Sequence, residues 1–179
     1  MKNIRWFFKE TIPVIIGILI ALLINSWNED RKDKKYLNQI FSSIESELEE
    51  SNLDIKRVIP KQLASADTIN VYMNNEKVTL YEIMMKSNGI QKPVIKTNSW
   101  NALANSKIEL IEYEKLSILS DIQERKENLN QRIERQVEYG FQNFEKSDRN
   151  KKMIFQMMIL DIIGAEKELQ NKIEELIKK

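Results

Sequence analysis

The sequence predicts an all-α fold: an N-terminal transmembrane helix continuous with a long juxtamembrane helix, then an up-and-down antiparallel helical bundle with coiled-coil character. Three observations predict it. A charge-free apolar run fills residues 12–24. Breakers are scarce, with four Gly and three Pro in 179 residues. Beyond residue 28, apolar side chains recur at a spacing near 3.6, separated by Glu, Lys, Asn and Gln, which is the pattern of one-sided helices.

The apolar run, IPVIIGILIALLI, would cover only about 20 Å as a helix, whereas a bilayer core is about 30 Å thick. Its flanks make up the difference, because a helix over residues 4–27 reaches about 36 Å. Trp6 and Trp27 bracket the run as aromatic-belt residues, and Lys9 can extend its ammonium to headgroup level. Trp6, Lys9 and Trp27 are therefore the expected interface anchors. The run ends in Asn25-Ser26-Trp27-Asn28, which lacks the small-residue site of a cleaved signal peptide. The expected organisation is a short tail and interface at 1–10, a transmembrane helix at 11–27 and a helical bundle domain at 28–179. Basic residues flank the span on both sides, so charge leaves its orientation open.

One face of the span repeats every four residues through Pro13, Gly17, Ala21 and Asn25. Small residues at that spacing let two helix backbones approach closely, and a polar Asn can add an interhelical hydrogen bond. This face is the expected packing surface, for a second copy or for a partner membrane protein.

In the bundle, Leu37, Ile40, Ile44, Leu48 and Ile55 lie on one stripe. That stripe predicts a helix running on from the membrane to about Ile59, stopped by Pro60. A second helix is expected over 61–73. A short one follows over 79–86, capped by Thr79 and stopped by Asn88-Gly89. Residues 90–98 contain Pro93 and read as an extended connector. SWNALANS, from Ser99, opens another helical unit. A long helix is expected over 108–144, with Leu119, Ile122, Leu129, Ile133, Val137 and Phe144 inward. A last helix is expected over 150–177, where Met158, Ile162, Ala165, Leu169, Ile173 and Leu176 approach a coiled-coil seam. None of these half-apolar helices is stable alone in water.

The chemistry the chain can carry is narrow. It has no Cys and no His, which removes disulfides, the common zinc sets and thiol or imidazole catalysis. Phosphate loops, dinucleotide fingerprints and nucleophile elbows are missing too. The expectation is no enzyme activity, no catalytic residue, no cofactor and no metal. With 28 basic and 27 acidic residues there is no global field for nucleic acid. Met84, Met85, Met153, Met157 and Met158 could in principle hold a soft metal, but Met beside Ile and Phe on helices reads as core filler. Trp100, Leu103 and Ile111 form an apolar cluster whose bland reading is bundle core and whose functional reading is a partner or ligand groove.

Two segments, IIGILIALLINSWNE at 15–29 and SWNALANSKIELIEYEKLSIL at 99–119, resemble an uncharacterised family of small single-pass membrane proteins of Bacteroidota-type bacteria. The resemblance rests on the membrane helix with Trp27, Asn28 and Glu29, then on Trp100, Leu103, Ser106, Leu110 and Ile111. Leu23 stands where that family often has Gln, and Lys107 where many members have Gly. The resemblance implies a single-pass inner-membrane protein with a cytoplasmic N-terminus and a periplasmic helical domain. The expected role is a membrane-anchored interaction or scaffold protein in the lipid bilayer, as a homo-oligomer or with a partner membrane protein. The alternative is a sensory or regulatory ligand-binding helical domain of a membrane complex.

Overall fold

A computed structural model describes the backbone of residues 2–178 and the side chains of residues 11–178. The fold is all-α: 82% of the chain is helical, and no strand occurs among the described residues. The order is α1 (Lys2–Val71), α2 (Leu80–Lys86), α3 (Asn98–Ala104), a 3-10 turn (Ile108–Leu110), α4 (Tyr113–Gln142) and α5 (Arg149–Ile177). The chain divides into two compact units, residues 1–42 and residues 43–179, and α1 contributes to both.

The first unit is a stretch of α1 alone. The second unit is the bundle, built on residues 43–71 of α1 with α4 and α5. Pro60 does not end α1 as the sequence predicts; the helix continues to Val71. Pro60 itself is exposed, and so is Lys56, whose carbonyl loses its partner, so water can serve that carbonyl. On the opposite face Ile55, Val58, Gln62, Ala66 and Ile69 are buried on both sides of the proline. Packing of that unbroken face outweighs the local cost of about 3 kcal/mol. The separate helix expected over 61–73 is therefore the end of α1.

Register follows from cross-helix contacts. Asp121, Arg125 and Arg132 on α4 pair with Lys172, Glu168 and Asp161 on α5, so the two helices run antiparallel. Asn52, Gln62 and Ala66 on α1 meet Glu174, Glu166 and Gln156 on α5, again antiparallel. Glu174 also takes an ion pair from Lys56 at 3.0 Å; with Lys178 and Asn52 this holds its carboxyl down at about 2.

The chain returns from the end of α1 in a way the helix pattern did not reveal. Residues 90–97 carry no regular secondary structure and lie along α1, whose side chains serve backbone amides here and in the first turn of α3. Val94 N–H donates to Asp54 Oδ2 (2.7 Å), Lys96 N–H to Ser51 Oγ (2.9 Å) and Ser99 N–H to Glu47 Oε2 (3.1 Å). This connector is what allows α4 to start again near Ile44 and Leu48.

Local signals act largely as read. Thr79 caps α2: its hydroxyl accepts from Glu82 N–H at 3.2 Å, and Glu82 accepts in return from Thr79 N–H at 2.8 Å. At the other end Asn88 N–H reaches Met85 O, and Gly89 N–H reaches Met84 O at 2.8 Å. Asn88 and Gly89 take φ of 60° and 76°, the left-handed exit that Asn and Gly tolerate best. Asp148 caps α5 by accepting from Lys151 N–H. The helix expected over 108–144 divides into the 3-10 turn and α4, and Phe144 lies past the end of α4, exposed and edge-on to Tyr81. Of the seam on α5, Ile162, Leu169 and Ile173 are fully buried, while Met158, Ala165 and Leu176 are half-buried. Phe155, Ile159 and Ile163 share the load, packing on Ala66, Ile69, Met73, Leu80 and Ile83.

Candidate functional site

Two features stand apart from ordinary core packing: the apolar part of α1 and a polar layer inside the bundle. The first follows from composition. Ile12, Ile15, Ile16, Ile18, Leu19, Ile20, Leu22, Leu23 and Ile24 are all about half or more exposed. An 18-residue window here has a mean hydropathy of 1.8, and none of it is buried among the described residues. Burying a large aliphatic side chain is worth roughly 1.5–3 kcal/mol, so a run of this length left in water is strongly unfavourable. The segment is a candidate membrane span.

On this span Pro13, Gly17, Ala21 and Asn25 are all exposed. A Cβ built on Gly17 meets nothing within 4 Å, so the small-residue face is open. Asn25 Nδ2 donates to Glu29 Oε1 at 3.1 Å, one turn on, which occupies the amide within its own helix. Trp27 is 65% exposed, and the Arg31 guanidinium lies 5.8 Å from its ring centre. That places an aromatic ring and a cation together at the polar end of the run, as an interfacial anchor requires. The other two expected anchors, Trp6 and Lys9, have side chains outside the described residues.

The expected groove at Trp100, Leu103 and Ile111 is not open. Trp100 is 6% exposed and Leu103 is fully buried; Ile111 is half-buried. Trp100 sits against Ile44, Leu48, Leu119 and Ile122 and closes the end of the bundle where the connector feeds α3. Met84 and Met153 pack on the core, whereas Met85 and Met157 are exposed, so the methionines do not converge on one point.

The polar layer went unseen in the sequence. Glu166, on α5, is fully buried. Its Oε1 accepts from Gln62 Nε2 on α1 at 2.7 Å, and the same Nε2 donates to the Gln91 carbonyl on the connector at 3.1 Å. Gln136 of α4 is buried as well. Burial pushes the Glu166 carboxyl up to about 7, and the Gln62 hydrogen bond offsets only part of that rise. Beside Gln62, Gln91 and Gln136 lies a cavity of about 10 Å³, room for about one water and no larger guest. A Glu on a helix otherwise rich in solvated Glu gives no sequence signal of burial. Only the cross-helix register, with Gln62 opposite, distinguishes it.

The chain matches no protein-family profile, no curated protein and no solved structure.

Proposed function

We propose that this chain is a membrane-anchored helical interaction or scaffold protein without catalytic chemistry of its own. The observation that carries the reading is the charge-free run of α1, none of whose apolar window is buried among the described residues. In this reading the lipid bilayer covers most of it, and the face through Gly17 and Ala21 takes a second copy of the chain or a partner membrane helix. The resemblance of the membrane-helix and Trp100 motifs supports a place among single-pass inner-membrane proteins of Bacteroidota-type bacteria. On that resemblance the N-terminus is cytoplasmic and the helical domain periplasmic.

The test is association of the full chain in detergent or bilayers, wild type against Gly17→Ile/Ala21→Ile. The double variant fills the small-residue face without touching the bundle. Loss of association supports docking through this face; unchanged association removes the face from the proposal.

A further inference from the structure

Glu166 and Gln62 leave a matched pair of buried atoms without partners. Gln62 gives its Nε2 to Glu166 Oε1, and the remaining oxygens, Glu166 Oε2 and Gln62 Oε1, are both buried and both unpaired. The bond from Gln62 Nε2 to the Gln91 carbonyl fixes which end of the amide faces which way. Two acceptors left over on one acid–amide pair call for one proton. A carboxylic acid and a carboxamide satisfy each other in a ring of two hydrogen bonds, N–H to one carboxyl oxygen and O–H back to the amide oxygen. Unsatisfied buried acceptors are rare because each costs about 1–3 kcal/mol. A proton on Glu166 Oε2 removes both at once.

We propose that Glu166 is carried as the neutral acid and closes this ring with Gln62, forming a proton-operated clasp that holds α5 to α1 and, through Gln62, to the connector. Among the described residues no cation pairs with the Glu166 carboxyl. On α1, Arg57 and Lys61 are exposed, and Arg57 pairs with Asp54. On the connector, Lys92 is exposed. On α4, Lys126 donates to Thr97 Oγ1, and Arg125 pairs with Asp121 and Glu168. On α5, Lys167 is exposed. Burial and Gln62 are the two influences on the carboxyl.

Loss of the proton leaves Glu166 Oε2 and Gln62 Oε1 as two buried acceptors with no donor to share. The clasp therefore makes packing of the connector depend on pH. Below the unfolded carboxyl value, near 4.5, folded and unfolded forms are both protonated and the clasp is closed. As pH rises towards about 7 and beyond, that stability is lost.

The experiment follows folding and protonation of the full chain in detergent micelles from pH 5 to pH 8.5. Wild type should lose roughly 50- to 100-fold in its folding equilibrium constant between pH 5 and pH 8 through this site. Glu166→Gln keeps an amide that can donate to the Gln62 oxygen at every pH, so this loss should vanish. Infrared spectra of the wild type should show a protonated-carboxyl C=O band at pH 6 that disappears by pH 8.5 and is missing in Glu166→Gln. The infrared titration decides the matter even if the variant folds poorly. A wild type with no protonated band at pH 6, or a Glu166→Gln variant with the wild-type pH slope, overturns the proposal.

Discussion

The ammonium of Lys152, buried on α5, donates to the backbone carbonyl of Tyr72 at 3.1 Å, just where α1 ends, and to that of Asn75 at 2.7 Å. Long helices end in carbonyls without partners and in a partial negative charge. α1 has no basic residue in its own last turn, so the cation comes from a neighbouring helix. Burial pushes the Lys152 ammonium below the ordinary lysine value, against the pull of Asp148, Glu76 and Glu82.

Lys152→Met keeps the length of the side chain and removes its charge. It should destabilise the bundle by about 1.5–3 kcal/mol, since two charged hydrogen bonds are lost, although each carbonyl keeps one backbone donor, Asn75 N–H for Tyr72 and Val78 N–H for Asn75. Thermal melting gives the size of the loss. Hydrogen exchange should show it concentrated in the last turns of α1. Unchanged exchange there would mean that the capping contact contributes little.

The glycines of the two hairpin helices behave oppositely. A Cβ at Gly140 on α4 would meet Phe155 Cε2 at 3.2 Å and Met84 Sδ at 3.4 Å, whereas one at Gly164 on α5 meets nothing within 4 Å. Gly140→Val should cost about 1–3 kcal/mol by overpacking. Gly164→Ala should stabilise by roughly 0.5–1 kcal/mol, because Ala loses less backbone freedom in a helix. Equal melting temperatures for the two variants would contradict the packing described around Phe155.

The connector is held by side chains of α1 rather than by a sheet partner. Asp54 anchors Val94: burial alone would raise its carboxyl, but the Val94 N–H and Arg57 outweigh burial and hold it below the usual value. Such a depressed carboxyl contributes stability that is full above its unfolded value, near 3.8, and lost as pH falls through the folded value. Asp54→Ala combined with Ser51→Ala should cost on the order of 2 kcal/mol. It should also speed tryptic cleavage after Lys96 several-fold at neutral pH, as read by mass spectrometry. Cleavage at the wild-type rate would show that these two anchors are dispensable.

Much of this fold is legible in local chemistry. Thr79 with Glu82, and Asn88 with Gly89, set the ends of α2 because caps depend on a few neighbouring residues. The stripe through Leu119, Ile122, Leu129 and Ile133 marks the inner face of α4 because periodicity alone defines it. Pro60 misleads, since a proline weighs as a local breaker and the packing that overrides it is tertiary. Trp100 reads equally as core or as groove until Ile44, Leu48 and Leu119 are seen around it. Glu166, Lys152 and Gln62 are invisible in sequence, where they look like any polar residue on a solvated helix. Their burial depends on which residues the antiparallel register sets opposite them.

The central claim is that the apolar run of α1 belongs in lipid. Alkaline extraction of membranes from cells making the full chain tests it most directly. The protein should remain in the membrane pellet and dissolve only with detergent. Recovery of the intact chain in the alkaline supernatant would contradict the claim.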